Sequence, residues 1–258
     1  FGDGTLYVER FVENARHVEI QILGDGKGKV LHLGDRDCSA QRRYQKVVEE
    51  APASAVPDDI RKVMRNAAVR LAESISYRNA GTVEFLYDLD RNQFYFIEVN
   101  ARIQVEHPVT EQITGVDLVA EQLKIAAGLP LSLSQDEIQL SGHAIECRIN
   151  AEAPLQNYAP SPGLITAWLP PEGESVRVDS HCEQGYTVPP YYDSMIGKLI
   201  VHGATRAQAI SRMRGALADF RIDGIHTNAH LQAYLVGHRN FRDNQFDTTW
   251  LERTLLPE

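Results

Sequence analysis

Five polar side chains follow one another at every second position near the middle of the chain. Residues 94–97 form an apolar, strand-like run that leads into Glu98, Asn100, Arg102, Gln104 and Glu106. Residues two apart share one face of an extended backbone, so the five side chains can point to the same side. Carboxylates and amides bind hard metal ions, and a guanidinium binds oxyanions. The segment therefore predicts a site for a metal and an oxyanion.

A predicted hairpin brings a further carboxylate to this segment. Residues 81–87 and 93–99 read as two strands joined by a charged turn, and a turn centred on Arg91 places Glu84 directly opposite Glu98. Opposed carboxylates repel each other, so a positive charge should compensate them. A magnesium ion, with Asn100 beside it and water and nucleotide phosphates as further ligands, is one answer. The alternative is a solvated polar face on which the acids never meet.

Two more groups could bind anions. A basic, amide-rich run comprises Arg36, Gln41, Arg42, Arg43, Gln45 and Lys46. Arginine and lysine suit phosphate and carboxylate oxygens, although such a run is also typical of a solvated surface loop. After the metal segment, Arg102 could hold an anion while Glu106 acts as a base. Glu106 could equally pair with Arg102 and only brace the loop.

The elements that must position these residues alternate between hairpins and helices. Short strands are predicted from Leu6 to Leu33, and residues 18–23 and 30–33 form a hairpin around the glycine-rich turn 24–28. This turn lacks the Lys-Ser/Thr ending of a phosphate loop. Asp58 and Asp59 open a helix whose apolar residues Ile60, Val63, Met64, Ala67, Ala68, Leu71 and Ile75 keep a 3.6-residue period. A second helix spans about residues 117–127, capped by Asp117 and stopped by Gly128.

The polar stretch 132–141 is the best candidate for a domain boundary. Strands are predicted after it at 143–150, 164–169, 176–180 and 195–202. Thr205 and Gln208 resemble a capping box for a helix to about residue 220, and a shorter helix begins near Thr227. Hairpins with helices between them predict an α+β fold with antiparallel sheet, divided into residues 1–138 and 139–258. The two parts could still pack as one structural unit.

Composition excludes several classes of protein. A formal net charge of −9 argues against broad binding to nucleic acid and, with the local basic run, favours a small anion. The sequence contains no uninterrupted run of 18 apolar residues, so it predicts no membrane-spanning helix. It also does not open with a charged segment followed by an apolar leader. Cys38, Cys147 and Cys182 are too few and too scattered for a disulfide framework. The expected location is a reducing cytoplasm or a mitochondrial matrix.

Four segments together resemble the biotin carboxylases. They are residues 36–52 (RDCSAQRRYQKVVEEAP), 96–111 (FIEVNARIQVEHPVTE), 142–152 (GHAIECRINAE) and 191–198 (YYDSMIGK). The motifs occur in the family's order and run through the length of the chain. The resemblance implies the carboxy-terminal half of an ATP-grasp fold followed by the biotin carboxylase C-terminal domain. It also implies that an amino-terminal domain and a glycine-rich lid over ATP would precede Phe1.

The same resemblance implies a role for each site residue. Glu84, Glu98 and Asn100 match the magnesium site, and Arg102, Gln104 and the backbone of Val105 match the bicarbonate cradle. Glu106 matches the general base, Lys46 a lysine beside phosphate and bicarbonate, and Arg148 the arginine that steadies the ureido oxygen of biotin. Glu9, His17, Gln41 and Tyr44 match positions beside the nucleotide. Tyr44 stands where the family often has His, and Arg10 where it often has Lys, so the grip on the nucleotide can differ.

The implied reaction carboxylates biotin from bicarbonate and MgATP, with Mn²⁺ as an alternative metal. The implied partners are a biotin carboxyl carrier protein or domain, a carboxyltransferase that chooses the final acceptor, and a second copy in a homodimer. We expect little turnover from the 258-residue chain by itself because lid closure completes such sites. Two rivals remain: another ATP-grasp ligase such as a carbamoyl phosphate synthetase half, and a non-catalytic dimerisation or carrier-binding module.

Overall fold

The computed structural model describes residue 2 and residues 4–255. Its strands are β1 Ala15–Asp25, β2 Val30–Arg42, β3 Gln45–Ala51, β4 Arg78–Asp88, β5 Gln93–Asn100, β6 His143–Asn150, β7 Glu152–Ala153, β8 Ala159–Pro160, β9 Gly163–Leu164, β10 Ala167–Leu169, β11 Val176–Asp179, β12 Thr187–Val188, β13 Met195–Gly203 and β14 Arg221–Asp223. Its helices are α1 Asp58–Ser74, α2 His107–Thr114, α3 Leu118–Ala126, α4 Arg206–Asp219, α5 Ala229–Gly237, α6 Arg239–Arg242 and α7 Trp250–Leu255. Within this described part, no helix has both the length and the apolar character needed to span a bilayer.

One eight-stranded sheet organises the molecule. Its strand order is β11-β13-β6-β3-β2-β1-β4-β5, and every neighbouring pair is antiparallel. Consecutive strands β1 and β2, β2 and β3, and β4 and β5 form hairpins, which short turns allow only between antiparallel strands. The predicted α+β class with antiparallel sheet is confirmed.

The hairpin of β4 and β5 has the predicted pairing of Glu84 with Glu98, but a β-bulge intervenes. Near the turn, Phe85 pairs with Phe96, whereas Glu84 pairs with Glu98, so Ile97 is an extra residue. Such an extra residue reverses the alternation of the strand. Phe96 therefore lies on the same face as the buried Phe85, and Glu98 lies on the opposite face with Glu84.

Strand β1 separates a core from the site. Val18, Ile20 and Ile22 are fully buried in a cluster with residues of α1, including Met64 and Ala68. Alternation sends the other side chains of β1 to the opposite face of the sheet. That face carries His17, Glu19 and Gln21.

Helix α1 begins and ends close to the predicted positions, yet its buried face is narrower than predicted. Met64, Ala68 and Ala72 pack against the sheet, whereas Val63 is 49% exposed and Ile75 lies beyond the helix at 61% exposure. An isolated apolar residue on a helix surface, such as Val63, needs no partner.

Helix α3 matches its prediction, with the Asp117 carboxylate accepting from the Ala120 backbone N–H at 2.8 Å.

The two parts of the chain share the large sheet. Strand β3 pairs with β6 across the predicted boundary, with Val48 opposite Cys147 and Ala51 opposite Ala144. A second core lies between α4 and α5 and the face of β6 and β13 that these helices cover. The Thr205 hydroxyl caps α4 at the Gln208 N–H, but the Gln208 side chain returns to the Ala204 N–H instead of to Thr205. The boundary near residue 138 stays a prediction.

Three sequence-based expectations need correction. The alternating run is extended only to Asn100, where β5 ends; a loop follows, and α2 begins at His107. Residues around Leu6 form no strand and are exposed. The predicted strand over 164–169 is divided between β9, which pairs with β12, and β10, which pairs with β14. The division of the last strand depends on long-range pairing, which local periodicity does not report.

Candidate active site

A cavity of about 680 Å³ opens above the face of the large sheet that carries His17 and Glu19. Side chains from both parts of the chain line it. Its lining residues include His17, Tyr44, Lys46, Glu84, Glu98, Asn100, Arg102, Gln104, Val105, Glu106, Arg148, Asn150, Glu152, Tyr158, Asp193 and Met195. Most of the site residues that the sequence singled out therefore meet at one place.

Lys46 stands at the centre of the charged groups. Its ammonium nitrogen lies 2.7 Å from Glu19 Oε2, 3.0 Å from Glu84 Oε1 and 2.6 Å from Glu106 Oε1. Burial by itself would lower the pKa of Lys46, but the surrounding negative charge raises it above its usual range. Lys46 is thus a fixed positive charge that three acids from three different elements share.

Glu106 links Lys46 to Arg148. Its Oε2 accepts from Arg148 Nη2 at 3.0 Å, and its side chain is only 2% exposed although it borders the cavity. Arg148 also donates from Nε to Glu49 Oε1 at 2.6 Å. The sequence left open whether Glu106 pairs with Arg102 and braces the loop; in the structure its partners are Lys46 and Arg148.

Glu84 and Glu98 form an oxygen-rich edge of the cavity. The Asn100 amide nitrogen donates to both carboxylates, at 3.1 Å to each. His17 Nε2 lies 2.8 Å from the other oxygen of Glu84. Burial would raise the pKa of Glu84, but His17, Lys46 and Gln104 together hold it below its usual range. Glu84 is therefore ionised at neutral pH.

This edge fits a hard divalent cation. The two opposed carboxylates supply oxygen ligands, and Glu98 is exposed. Asn100 lies beside them, with its amide nitrogen toward both carboxylates and its oxygen toward Arg102. Magnesium is typically held by one or two protein carboxylates, with other ligands from water and substrate. A second group of potential metal ligands consists of His17, Glu19 and Glu84, whose ligand atoms lie within 4.8 Å of one another. There the Lys46 ammonium already contacts both carboxylates.

Gln104 is held on both sides of its amide. Its nitrogen donates to Glu84 Oε1 at 2.8 Å, and its oxygen accepts from Arg36 Nη2 at 3.1 Å. Arg36 is fully buried and also donates to Glu19 Oε1 at 2.5 Å. Arg36, the first residue of the basic run, is therefore neither free to bind an anion nor part of a solvated loop. Its guanidinium is buried and holds Glu19 and Gln104 in place.

Arg102 and Val105 occupy the loop between β5 and α2. The Arg102 guanidinium is exposed and donates to Ile103 O and Asn100 Oδ1, at 3.2 and 3.3 Å. The Val105 carbonyl accepts from Lys198 Nζ at 2.9 Å, which ties the loop to β13. Both residues line the cavity; Arg102 is exposed, and Val105 is half-buried.

The four residues matched to the nucleotide are dispersed. His17 and Tyr44 line the cavity, Tyr44 at 92% exposure in a turn where Arg43 and Tyr44 both have positive φ. Gln41 is 6% exposed on β2 opposite Lys46, and it is not among the lining residues that the structure describes. Glu9 lies on the exposed segment before β1 and likewise outside that described lining. Their roles stay predictions.

Sequence reasoning missed four charged residues beneath the cavity. They are Glu19, Glu49, Glu146 and Lys198. A signal was available for Glu19, because His17, Glu19 and Gln21 alternate with fully buried apolar residues on β1. A polar residue on the inner face of a strand usually has a partner there.

The arrangement combines fixed cations, a buried carboxylate and an oxygen-rich edge in one cavity. Lys46 and Arg148 can stabilise negative charge on reacting groups, and Glu106 can accept a proton. Glu84, Glu98 and Asn100 can bind a metal that neutralises phosphates. Such a site suits the reaction of an oxyanion with a nucleotide.

Two family models match successive parts of the chain. The model of the carbamoyl-phosphate synthase L chain, ATP-binding domain, matches residues 1–134, and the model of the biotin carboxylase C-terminal domain matches residues 146–253. Biotin carboxylase 1 of Bacillus subtilis is 52% identical over 252 residues, which cover 98% of this chain and 56% of that protein. The chain thus spans about half the length of the curated relatives it matches.

Solved structures agree with these matches. The biotin carboxylase of Campylobacter jejuni, in complex with a β,γ-ATP compound, superimposes with a TM-score of 0.94 at 47% identity, covering 98% of this chain and 56% of that one. The biotin carboxylase domain dimer of Hydrogenobacter thermophilus 2-oxoglutarate carboxylase, in complex with MgADP, ADP and bicarbonate, gives a TM-score of 0.92 at 46% identity, covering 97% and 56%. The fold and the motifs of this chain therefore lead to the same set of proteins.

Proposed function

The chain belongs to the biotin carboxylases of the ATP-grasp family, and we propose that it forms the carboxy-terminal portion of an enzyme that carboxylates biotin from bicarbonate and MgATP. The two matched models supply the ATP-binding half and the C-terminal domain, as the motifs predicted. Relatives solved with MgADP and bicarbonate support these ligands for the present cavity. Because the chain spans 56% of the length of the Bacillus subtilis relative, we assign the proposed activity to a larger enzyme.

The observation that carries the proposal is the position of Glu106 between Lys46 and Arg148. A carboxylate with 2% exposure and two cationic partners, at 2.6 and 3.0 Å, borders a cavity that admits a substrate. Glu106 accepts the proton of bicarbonate as a bicarbonate oxygen forms a bond to the γ-phosphorus of ATP. The bond from that phosphorus to ADP breaks, so the products are ADP and carboxyphosphate, with the proton on Glu106.

Bicarbonate lies against the loop between β5 and α2 in this proposal. Arg102 neutralises its charge, Gln104 donates a hydrogen bond, and the Val105 backbone completes the cradle. Gln104 suits this role because contacts to Arg36 and Glu84 fix the orientation of its amide while one amide N–H remains for a ligand. Positioning by fixed donors lowers the barrier without reorganisation during the reaction.

Glu84, Glu98 and Asn100 would hold magnesium or manganese, which neutralises phosphate charge when bound. Lys46 lies between this edge and Glu106, within 3.0 Å of Glu84, and can therefore contact phosphate and bicarbonate oxygens. Arg148 borders the same cavity and is proposed to stabilise the negative charge that develops on the ureido oxygen of biotin. His17, Gln41, Tyr44 and Glu9 are proposed to contribute to the nucleotide site.

The test is the Glu106→Gln variant of the complete enzyme. Biotin-dependent ADP formation from bicarbonate and MgATP should fall by about 10²- to 10⁴-fold, since a neutral amide cannot accept the proton. The KM for ATP should change little because Glu106 is not part of the metal edge. Glu137→Gln, which changes an exposed acid of a 3₁₀ turn, is the matched control. Full activity of Glu106→Gln would show that Glu106 is not the base.

Partners and location are also proposed. A biotin carboxyl carrier protein or domain delivers biotin, and a carboxyltransferase passes the carboxyl group to the final acceptor. A pyruvate carboxylase subunit of Methanothermobacter thermautotrophicus, 50% identical to this chain, supports such an assembly. A homodimer and a location in the cytoplasm or mitochondrial matrix complete the proposal, to be checked by sedimentation and by cell fractionation.

Two rival functions have separate signatures. A carbamoyl phosphate synthetase half would share the metal edge, but it would form product with ammonia and ignore biotin; Arg148 and the 191–198 motif speak against it. A non-catalytic platform would bind the carrier without nucleotide. Calorimetry with MgADP distinguishes the platform, because retained nucleotide binding favours the enzyme.

A further inference from the structure

Two buried carboxyl groups face each other behind Arg148. Glu49 on β3 and Glu146 on β6 are directly opposed in the antiparallel pair, and both are completely buried. Cβ atoms of such partners lie about 4.5–5.5 Å apart on the same face of the sheet, so the two carboxyl groups can meet. Neither residue has a role in the proposed reaction.

The hydrogen bonding of the two groups is unequal. Glu49 Oε1 accepts from Arg148 Nε at 2.6 Å. Among the residues that the structure describes, Glu49 Oε2 and both oxygens of Glu146 have no donor as a partner. Two buried anions with three unpaired oxygens would be very costly, whereas one proton between them removes a charge and provides a donor.

The surrounding charges decide which of the two residues keeps the proton. Arg148, Glu106 and Lys46 act on Glu49, and the same Glu106 and Arg148, together with Lys198, act on Glu146. Burial raises the pKa of Glu49 to about 7, with Arg148 opposing the shift. Burial and then the charge of Glu49 raise the pKa of Glu146 well above its usual range. The thiols of Cys38 and Cys147 stay neutral because burial raises their pKa as well.

We propose that Glu49 and Glu146 form a carboxyl pair with a single proton, in which neutral Glu146 donates to charged Glu49 and Glu49 positions Arg148 in the cavity. The role of Arg148 rests on the function proposed above. Arg148 has two carboxylate partners, Glu49 and Glu106. Once Glu106 accepts a proton its charge is gone, and Glu49 is then the carboxylate that still holds the guanidinium for biotin.

Infrared spectroscopy of the complete enzyme tests the pair without any assay of catalysis. With ¹³C-labelled glutamate, the wild type at about pH 8 should show the carbonyl stretch of a protonated carboxyl group, since acids with ordinary pKa values are ionised there. Glu146→Gln should remove this band, and Glu49→Gln should keep it. Absence of the band in the wild type, or its survival in Glu146→Gln, would overturn the pair. The wild-type measurement suffices if a variant fails to fold.

Kinetics of the same variants test the positioning role. Glu49→Gln keeps the shape but loses the charge, so the KM for biotin should rise about tenfold or more while the KM for MgATP is unchanged. The wild-type rate should fall as the pH drops through about 7, where Glu49 takes a proton, and Glu49→Gln should lack this limb. Glu146→Gln resembles the neutral acid and should stay within about twofold of the wild-type rate.

The outcomes separate the two proposals. Equal losses in Glu49→Gln and Glu146→Gln would contradict the asymmetry of the pair, and an unchanged KM for biotin in Glu49→Gln would contradict the positioning role. Either result leaves biotin carboxylation by the wild type intact. A wild type that does not carboxylate biotin would refute the proposed function, whereas the infrared band would still report the shared proton.

Discussion

A single ammonium group connects three acids of the candidate site. Lys46 lies within 3.0 Å of Glu19, Glu84 and Glu106, which come from β1, β4 and the loop before α2. Each acid has other partners, but Lys46 is common to all three. Its charge therefore matters for the fold as well as for any ligand, because removal of one partner from a buried ionic cluster leaves uncompensated charge.

Lys46→Gln should lower the free energy of unfolding by about 3 kcal/mol at pH 7. The loss should shrink toward pH 5, since acids without the ammonium bind protons more readily in the folded state. Urea unfolding at both pH values measures this. Lys62→Gln, at a residue whose side chain is 66% exposed, is the control and should change stability little. Equal losses in both variants would contradict the interpretation.

Glu50 shows how a buried acid outside the cavity contributes to pH-dependent stability. Its oxygens accept from Arg206 at 2.7 and 2.9 Å and lie 2.8 Å from His143 at the nearest. Burial would raise its pKa, but Arg206 and His143 lower it to about 2. The folded-state pKa is below the unfolded value, so the stabilisation is present above about pH 4.5 and lost as the pH falls toward 2.

Glu50→Gln should therefore destabilise the protein by about 3 kcal/mol at neutral pH and much less near pH 2. Thermal or urea unfolding as a function of pH provides the measurement. Asp243→Asn removes an exposed pair with Arg239 and serves as the control, with an expected change below about 0.5 kcal/mol. A loss for Glu50→Gln that does not depend on pH would show that packing, not charge, is responsible.

At the scale of elements, the sheet requires a close approach of backbone at one end of β1. A Cβ on Gly24 would lie 2.1 Å from the carbonyl oxygen of Tyr77, just before β4. The neighbour is backbone, so the two strands would have to move apart. By contrast, a Cβ on Gly215 in α4 would have no described heavy atom beyond its own helix backbone within 4 Å, and the φ of Gly215 is ordinary.

Gly24→Ala and Gly215→Ala should thus have opposite effects. Gly24→Ala is expected to destabilise by about 1–3 kcal/mol because the strands are forced apart. Gly215→Ala should stabilise by up to about 1 kcal/mol, since alanine favours the helix over glycine. Differential urea unfolding of the two variants decides the matter. Stabilisation by both would show that the contact at Tyr77 relaxes freely.

At the scale of the whole molecule, the two predicted parts are joined by more than the chain. β3 and β6 pair in one sheet, the Arg16 guanidinium donates to the Asn244 side chain at 3.0 Å, and Gln232 Nε2 donates to Val47 O at 3.1 Å. The cavity is also lined from both parts. Separate unfolding of either part would break this sheet and expose its core.

We therefore expect a single cooperative unfolding transition. Calorimetry should give one peak whose calorimetric and van't Hoff enthalpies agree. A variant that weakens the second part, such as Phe241→Ala at a fully buried residue, should shift the whole transition. Two resolved peaks, with only one of them shifted, would show independent domains and support the boundary near residue 138.

The 258-residue chain assayed by itself should show little biotin-dependent ATP hydrolysis. The mouth of its cavity leaves Glu98, Arg102 and Tyr44 exposed, and water at such a site competes for phosphoryl groups and weakens the electrostatic interactions. The measurement is bicarbonate- and biotin-dependent ADP release, compared with that of the complete enzyme at equal concentration. A matching rate would contradict this expectation.

The sequence determined the types of residue in the site, the hairpin that opposes Glu84 to Glu98, and the antiparallel α+β class, because these follow from local spacing and from recognisable motifs. It did not determine that the alternating run stops at Asn100, nor that Lys46, Arg148 and Glu106 meet, nor that Glu49 faces Glu146. The partners in these contacts are far apart in the chain. The pairing of β3 with β6, set by burial of side chains distant in sequence, places Glu49 opposite Glu146. The loop before α2 then brings Glu106 to Lys46 and Arg148.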